Sequence, residues 1–224
     1  MKLDPEIFNF LKKLKLNNNR PWFKDNKAIF DIQNSNIKEY FGVFFNDNKE
    51  SFKWESFKVF RIYKDVRFSK DKTPYKVHFA NSYARLGKDL RGGYFLRIRP
   101  GSSFLAGGFW EPSKEDLFRI RKEIELDASE IKEVLKEKSF QKYFGGKFES
   151  FSELKTAPRG FDKEHPNVAL LRKKGFIASR SFTDEEVLSP GFADEVTKSF
   201  QAMRPFFNLF SDILTTNLNG ESVL

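Results

Sequence analysis

The sequence predicts an α+β fold in which a central antiparallel or mixed sheet, over about residues 58–110, is flanked by N-terminal and C-terminal helices. Three observations point there. Apolar residues recur at steps of three and four near both ends of the chain, the spacing of one helix face. Between Lys58 and Trp110 the period changes, with aromatic and β-branched residues in partial alternation. Within that stretch, Pro100-Gly101-Ser102 is a turn signal that splits Tyr94 to Trp110 into a hairpin.

The elements follow in order. Asp4-Pro5 places an N-cap before a proline in the first helical turn, and Ile7, Phe8, Leu11 and Leu14 form the apolar stripe of the first helix. Asn17-Asn18-Asn19 ends it, and Asn18 or Asn19 caps a second helix that tolerates Pro21 in its first turn. There Trp22, Ile29, Ile37, Phe41 and Phe44 keep a helical period to about residue 46. Strands are expected over Lys58 to Phe68, Val77 to Arg85 and the two arms of the hairpin. The glycines at 92–93 and 107–108 mark the start of a strand and a bulge or close backbone approach. Ser113 with Asp116, and Asp127 with Glu130, resemble capping boxes for helices near 114–124 and 128–138. A loop-rich region runs from Lys155 to Pro166. Ser189-Pro190 then opens a last helix striped by Phe192, Val196, Phe200, Met203, Phe207, Phe210 and Leu214, which Pro205 should kink. No internal repeat or convincing linker appears, so a single domain over residues 1–224 is expected.

Composition narrows the function classes. With 28 Phe against 2 Met and 3 Trp, the core is expected to be built from rigid rings. The absence of cysteine excludes disulfides and thiolate chemistry and suits a cytoplasmic protein. No apolar run has the length of a signal peptide or a spanning helix, so no membrane partner is expected. Two histidines without paired spacing give no metal site. The glycine pairs match no nucleotide-binding loop, so no cofactor is predicted. The net charge of +9 is uneven: residues 61–100 carry 11 basic against 3 acidic side chains, and residues 181–224 carry 2 against 7. Such a field steers anionic partners.

The densest charge lies in Arg61 to Tyr75, RIYKDVRFSKDKTPY. If this begins as a strand, Arg61, Tyr63, Asp65 and Arg67 share one face, and Lys64 interrupts the apolar face, where it needs a partner or an edge position. Two arginines around Asp65 leave guanidinium donors for a phosphate or carboxylate. Asp71 and Thr73-Pro74 shape a turn from which Lys70, Lys72 and Lys76 project. A solvated turn with one internal ion-pair network is the competing reading. His78 reads as a satisfied, partly buried strand residue. His165, near Arg159 and just before Pro166, is the preferred general acid or base if catalysis occurs.

The spacing Arg61-x-x-Lys64-Asp65-x-Arg67-Phe68-x-x-Asp71-Lys72-x-x-Tyr75 resembles the signature of a bacterial family of uncharacterised proteins, domain of unknown function 2461. Its fixed positions agree except at Lys64, where the family has Arg. Asn17-Asn18-Asn19-Arg20 with Trp22-Phe23, Gly107-Gly108, Pro158-Arg159-Gly160-Phe161 and His165-Pro166 resemble further family landmarks. The resemblance implies one domain and supplies no activity.

Three functional readings follow. The first is a binding protein or enzyme holding an anionic small molecule, with a phosphate or carboxylate met by Arg61, Lys64, Asp65, Arg67, Lys72, Tyr75 and Arg159 and with His165 catalytic. The second is a nucleic-acid-binding module whose basic strip at 61–100 offers Tyr63, Tyr75 and Tyr94 for stacking. The third is purely structural, with the acidic last helix and its Asp194 and Glu195 covering the basic strand.

Overall fold

The computed structural model describes residues 2–224. It opens with helices α1 (Glu6–Leu16), α2 (Arg20–Asp25) and α3 (Lys27–Phe52), followed by strands β1 (Trp54–Val59), β2 (Phe79–Arg85), β3 (Gly93–Ile98) and β4 (Ser103–Phe109). Helices α4 (Lys114–Leu126), α5 (Ser129–Lys136), α6 (Lys138–Phe144) and α7 (Val168–Leu171) precede β5 (Phe176–Phe182). The chain closes with α8 (Asp184–Leu188), α9 (Phe192–Ala202) and α10 (Arg204–Thr215). The strands form one five-stranded antiparallel sheet in the order β1-β2-β3-β4-β5, so the α+β expectation holds.

Local chemistry explains most boundaries. The Asn19 side chain accepts the Trp22 backbone N–H and starts α2, as its sequence suggests. Asp4 accepts the Glu6 N–H at 2.9 Å just before α1. Lys53, in the left-handed region at φ 51°, ends α3 and turns the chain directly into β1, so the first strand begins earlier than its residue pattern indicates. Ser113 caps α4 through the Asp116 N–H, whereas Asp127 spends its carboxylate on Ser129 rather than closing a capping box with Glu130. Pro205 does more than kink a helix. The chain breaks at Met203, and the proline sits in the first turn of α10, where its missing N–H costs nothing.

The chain clusters into two compact units. Unit 1 comprises Met1–Tyr83, Phe95–Leu105 and Ser181–Thr197; unit 2 comprises Ala84–Tyr94, Ala106–Arg180 and Lys198–Leu224. In unit 1 the stripe of α1 is buried, as are Ile37, Phe41 and Phe44 of α3, whereas Ile29 of the expected stripe is exposed and Phe30 takes its place in the core; Trp54 stacks on Tyr83 at 4.3 Å. In unit 2 the rings of Phe109, Phe148, Phe176 and Phe206 surround Phe210 at 4.8–5.7 Å. The phenylalanine excess is thus packing material. Within unit 2, Gly107 and Gly108 mark a close backbone approach: a Cβ on Gly108, at φ 144°, would collide with the Phe176 carbonyl, and one on Gly107 with the Met203 sulfur.

Candidate functional site

Residues 60–78 leave the sheet between β1 and β2 as an arm within unit 1. This corrects the expected strand over Lys58 to Phe68. Phe60 still donates to Ala80 O at 2.9 Å, but beyond it only an isolated bridge pairs Tyr63 with Tyr75. Burial gives the reason. A continued strand would drive Lys64 and Phe68 into the core together, whereas in the arm Ile62 and Tyr75 are buried and Phe68 is 95% exposed. The arm is pinned by Lys64 N–H to Pro74 O (2.9 Å) and Lys76 N–H to Ile62 O (2.7 Å). Asn18, just past α1, adds a two-point clamp on Tyr75, donating to its O at 2.9 Å and accepting its N–H at 3.1 Å. The Tyr75 ring stacks on Phe23 at 3.9 Å.

The arm's charges are sorted by this geometry. The expected ladder of Arg61, Asp65 and Arg67 on one strand face is absent. Arg67 alone takes both Asp65 oxygens, with Nε at 3.0 Å and Nη2 at 2.7 Å, and these bonds lower the Asp65 pKa. Arg61 is exposed and acts on Asp65 only through space. Lys72 donates to Val66 O at 3.0 Å. Lys64 behaves differently: its ammonium is drawn inward to Asp71 (2.7 Å) and Thr73 Oγ1 (2.6 Å), and Asp71 is held well below the usual carboxylate range by Lys64 and Thr73.

Beside the arm lies a recess of about 360 Å³ lined by Lys15, Asn18, Lys64, Asp71, Thr73, Lys76, Val77, His78 and Arg99. Four of these are cations, and the one carboxylate is already taken by Lys64 and Thr73. The imidazole of His78 registers that charge. Burial first, then Arg97, Lys76, Arg99 and Lys64, pushes its pKa down to about 4, so it stands neutral at pH 7. Lys76 is also lowered, by burial and Arg61. A second recess of about 270 Å³ shares Lys15, Val77 and Arg99 and adds Leu11, Lys12, Pro100, Gly101 and Asp184. There Asp184 accepts the Gly101 N–H at 2.6 Å and stands 3.9 Å from Lys12.

Of the ligand-binding and catalytic residues expected from sequence, only Lys64 lines the larger recess, joined there by Asp71, Thr73 and Lys76 of the expected turn. Arg61, Asp65, Arg67 and Lys72 stay on the arm's exposed side, and Tyr75 is buried as a structural pin. Arg159 and His165 belong to unit 2. Arg159 is exposed, while the His165 ring bridges the backbone, accepting Asn167 N–H at 3.1 Å on Nδ1 and contacting Glu125 O through Nε2 at 3.2 Å. Lys15, Asn18, His78 and Arg99 escaped notice as site residues because they come from a helix end, a linker, a strand start and a turn. Lys15 and Arg99, for example, meet only once α1 packs beside the β3–β4 turn.

Comparison with curated proteins and with solved structures finds no match. A family model does match, over residues 6–209, and that span takes in α1, the arm, the recess and the hairpin glycines. The chain therefore belongs to the family described as conserved hypothetical protein, DUF2461.

Proposed function

We propose that the larger recess of unit 1 binds the phosphate or carboxylate group of an anionic ligand. The observation that carries this reading is the inward set of Lys15, Lys64, Lys76 and Arg99 around a neutral His78, with Asp71 as the only carboxylate in the wall. Cations gathered without matching acids are favourable when an anion joins them, and Arg99 brings the planar fork suited to phosphate. Thr73 and Asn18 complete the wall, the first bonded to Lys64 and Asp71 and the second to the Tyr75 backbone. The exposed Arg67 fork, filled by Asp65, is left outside the site.

The nucleic-acid strip loses two of its three intended stacking rings, since Tyr75 and Tyr94 are 5% and 1% exposed. Calorimetric titration with inorganic phosphate tests the recess. Wild-type protein is expected to bind saturably and Arg99→Met at least tenfold more weakly; equal binding by both would reject the site.

A further inference from the structure

The face of the sheet opposite the unit 1 core carries a row of aromatic rings that the anion site leaves unexplained. Along β3, Leu96 and Ile98 point into the core, so Phe95 and Arg97 point the other way; along β4, Leu105 faces the core and Phe104 does not. Phe60 continues β1 through its bond to Ala80 O. Because Ala80 is small and lies on the strand between, Phe60 and Phe95 meet across it at 6.1 Å, and Phe95 meets Phe104 at 5.5 Å. All three rings remain half-buried. The Arg97 guanidinium lies 4.2 Å from the Phe104 ring centre and donates to Ser102 O at 2.9 Å and to Ser102 Oγ at 2.9 Å.

Cations border this row of rings. Lys58 and Lys76 stand 5.8 and 5.7 Å from the Phe60 ring centre, and β2, β3 and β4 contain no acidic residue at all. Lys76 is the hinge of the argument, because the same ammonium also lines the anion recess. Through Lys76 the basic recess of about 360 Å³ thus adjoins a row of half-buried rings, inclined at 54° and 38° to one another, with the Arg97 guanidinium beside the last of them. Flat π-faces beside cations suit a base joined to a phosphate; an aliphatic anion would leave the rings unused.

We infer that the ligand is a nucleotide unit, free or within a single strand, whose phosphate enters the recess while its base stacks on Phe60, Phe95 and Phe104. This rests on the anion reading of the recess and adds the chemical class of what the anion belongs to. Duplex nucleic acid is excluded by the same geometry, since its bases are stacked on one another and present no free face.

The test measures affinities of the full chain for inorganic phosphate, for uridine and adenosine monophosphates, and for a fluorescently labelled single-stranded dodecamer of each base. Stacking contributes roughly tenfold to a hundredfold per base, so the monophosphates should bind at least tenfold tighter than phosphate. Phe95→Leu and Phe104→Leu keep apolar bulk and remove the π-face; both should erase most of that advantage while phosphate binding stays unchanged. A dodecamer that binds far tighter than the monophosphates places the unit in a strand, and equal affinities place it in a free nucleotide. If phosphate binds but nucleotides bind no tighter, or the leucine variants keep the full advantage, the stacking inference is overturned and the recess stands. If phosphate itself fails to bind, both fall.

Discussion

Acid should unfold this protein in a window that belongs to His78. The ring's pKa lies at about 4 in the folded chain, against 6.5 for an unperturbed imidazole, because burial and four nearby cations oppose its charging. Between those values the unfolded chain holds a proton that the folded chain lacks, so stability falls as pH drops from 6.5 toward 4 and levels off below. At ~1.36 kcal/mol per pH unit, the gap between 6.5 and about 4 sets a ceiling of about 3 kcal/mol. The ring is half-buried and solvent screens part of the field, which lowers the expected loss to about 1 to 2 kcal/mol. The carboxylates of Asp65 and Asp71 are also lowered, but their contribution is present above pH 3.8 and disappears only below it. Replacing the imidazole by a neutral amide, His78→Gln, removes the titration and little volume. Urea unfolding of wild type and His78→Gln at steps from pH 7 to 4.5 measures the difference. The wild type should lose about 1 to 2 kcal/mol more than the variant over that range. A difference constant with pH would refute the reasoning, since His78 would then not be resisting a charge.

Other perturbations sort fold from site. Gly108→Ala must force the Phe176 carbonyl away at a positive φ, and a loss of about 2 to 4 kcal/mol is expected by chemical denaturation; a neutral result would contradict the close approach. Asn18→Ala removes both bonds to the Tyr75 backbone and should cost about 1 to 3 kcal/mol and raise amide exchange at Tyr75. Unchanged exchange there would show that the clamp does not hold the arm. Arg67→Lys, on a pair open to solvent, should shift the melting temperature little and leave phosphate binding as in wild type; weakened binding would move the site onto the arm's outer side.

Period and caps made the helices legible, and the hairpin was announced by Pro100-Gly101-Ser102, but three features were hidden for physical reasons. Strand β5 is one. Phe176, Ile177 and Ala178 are all buried, so the alternation that marks a half-exposed strand is missing. The arm is another: its alternation is real in sequence, yet it is satisfied by ion pairs and one bridge instead of a ladder. The recess was half legible: the cation density of residues 61–100 pointed to the right region, and Lys64 to the right wall. Which cations converge depends on the path of the arm and on Lys15 arriving from α1, and neither is encoded locally. Charge clustering in sequence could not separate Arg67, which spends its fork on Asp65, from Arg99, which lines the recess.

His78 is also the reporter for the recess. Sulfate stays a dianion across the range in which this ring titrates, and an anion seated among Lys15, Lys64, Lys76 and Arg99 offsets the field that holds the ring neutral. At an effective dielectric of about 20 to 80 and ~5 Å separation, each unit of charge is worth about 0.8 to 3 kcal/mol, or roughly 0.6 to 2 pKa units. Following the His78 imidazole resonances through a pH titration, with and without saturating sulfate, should show the midpoint rise from about 4 by at least half a unit, with no such rise in Arg99→Met. Superimposable titrations with and without sulfate would mean that no anion occupies the recess.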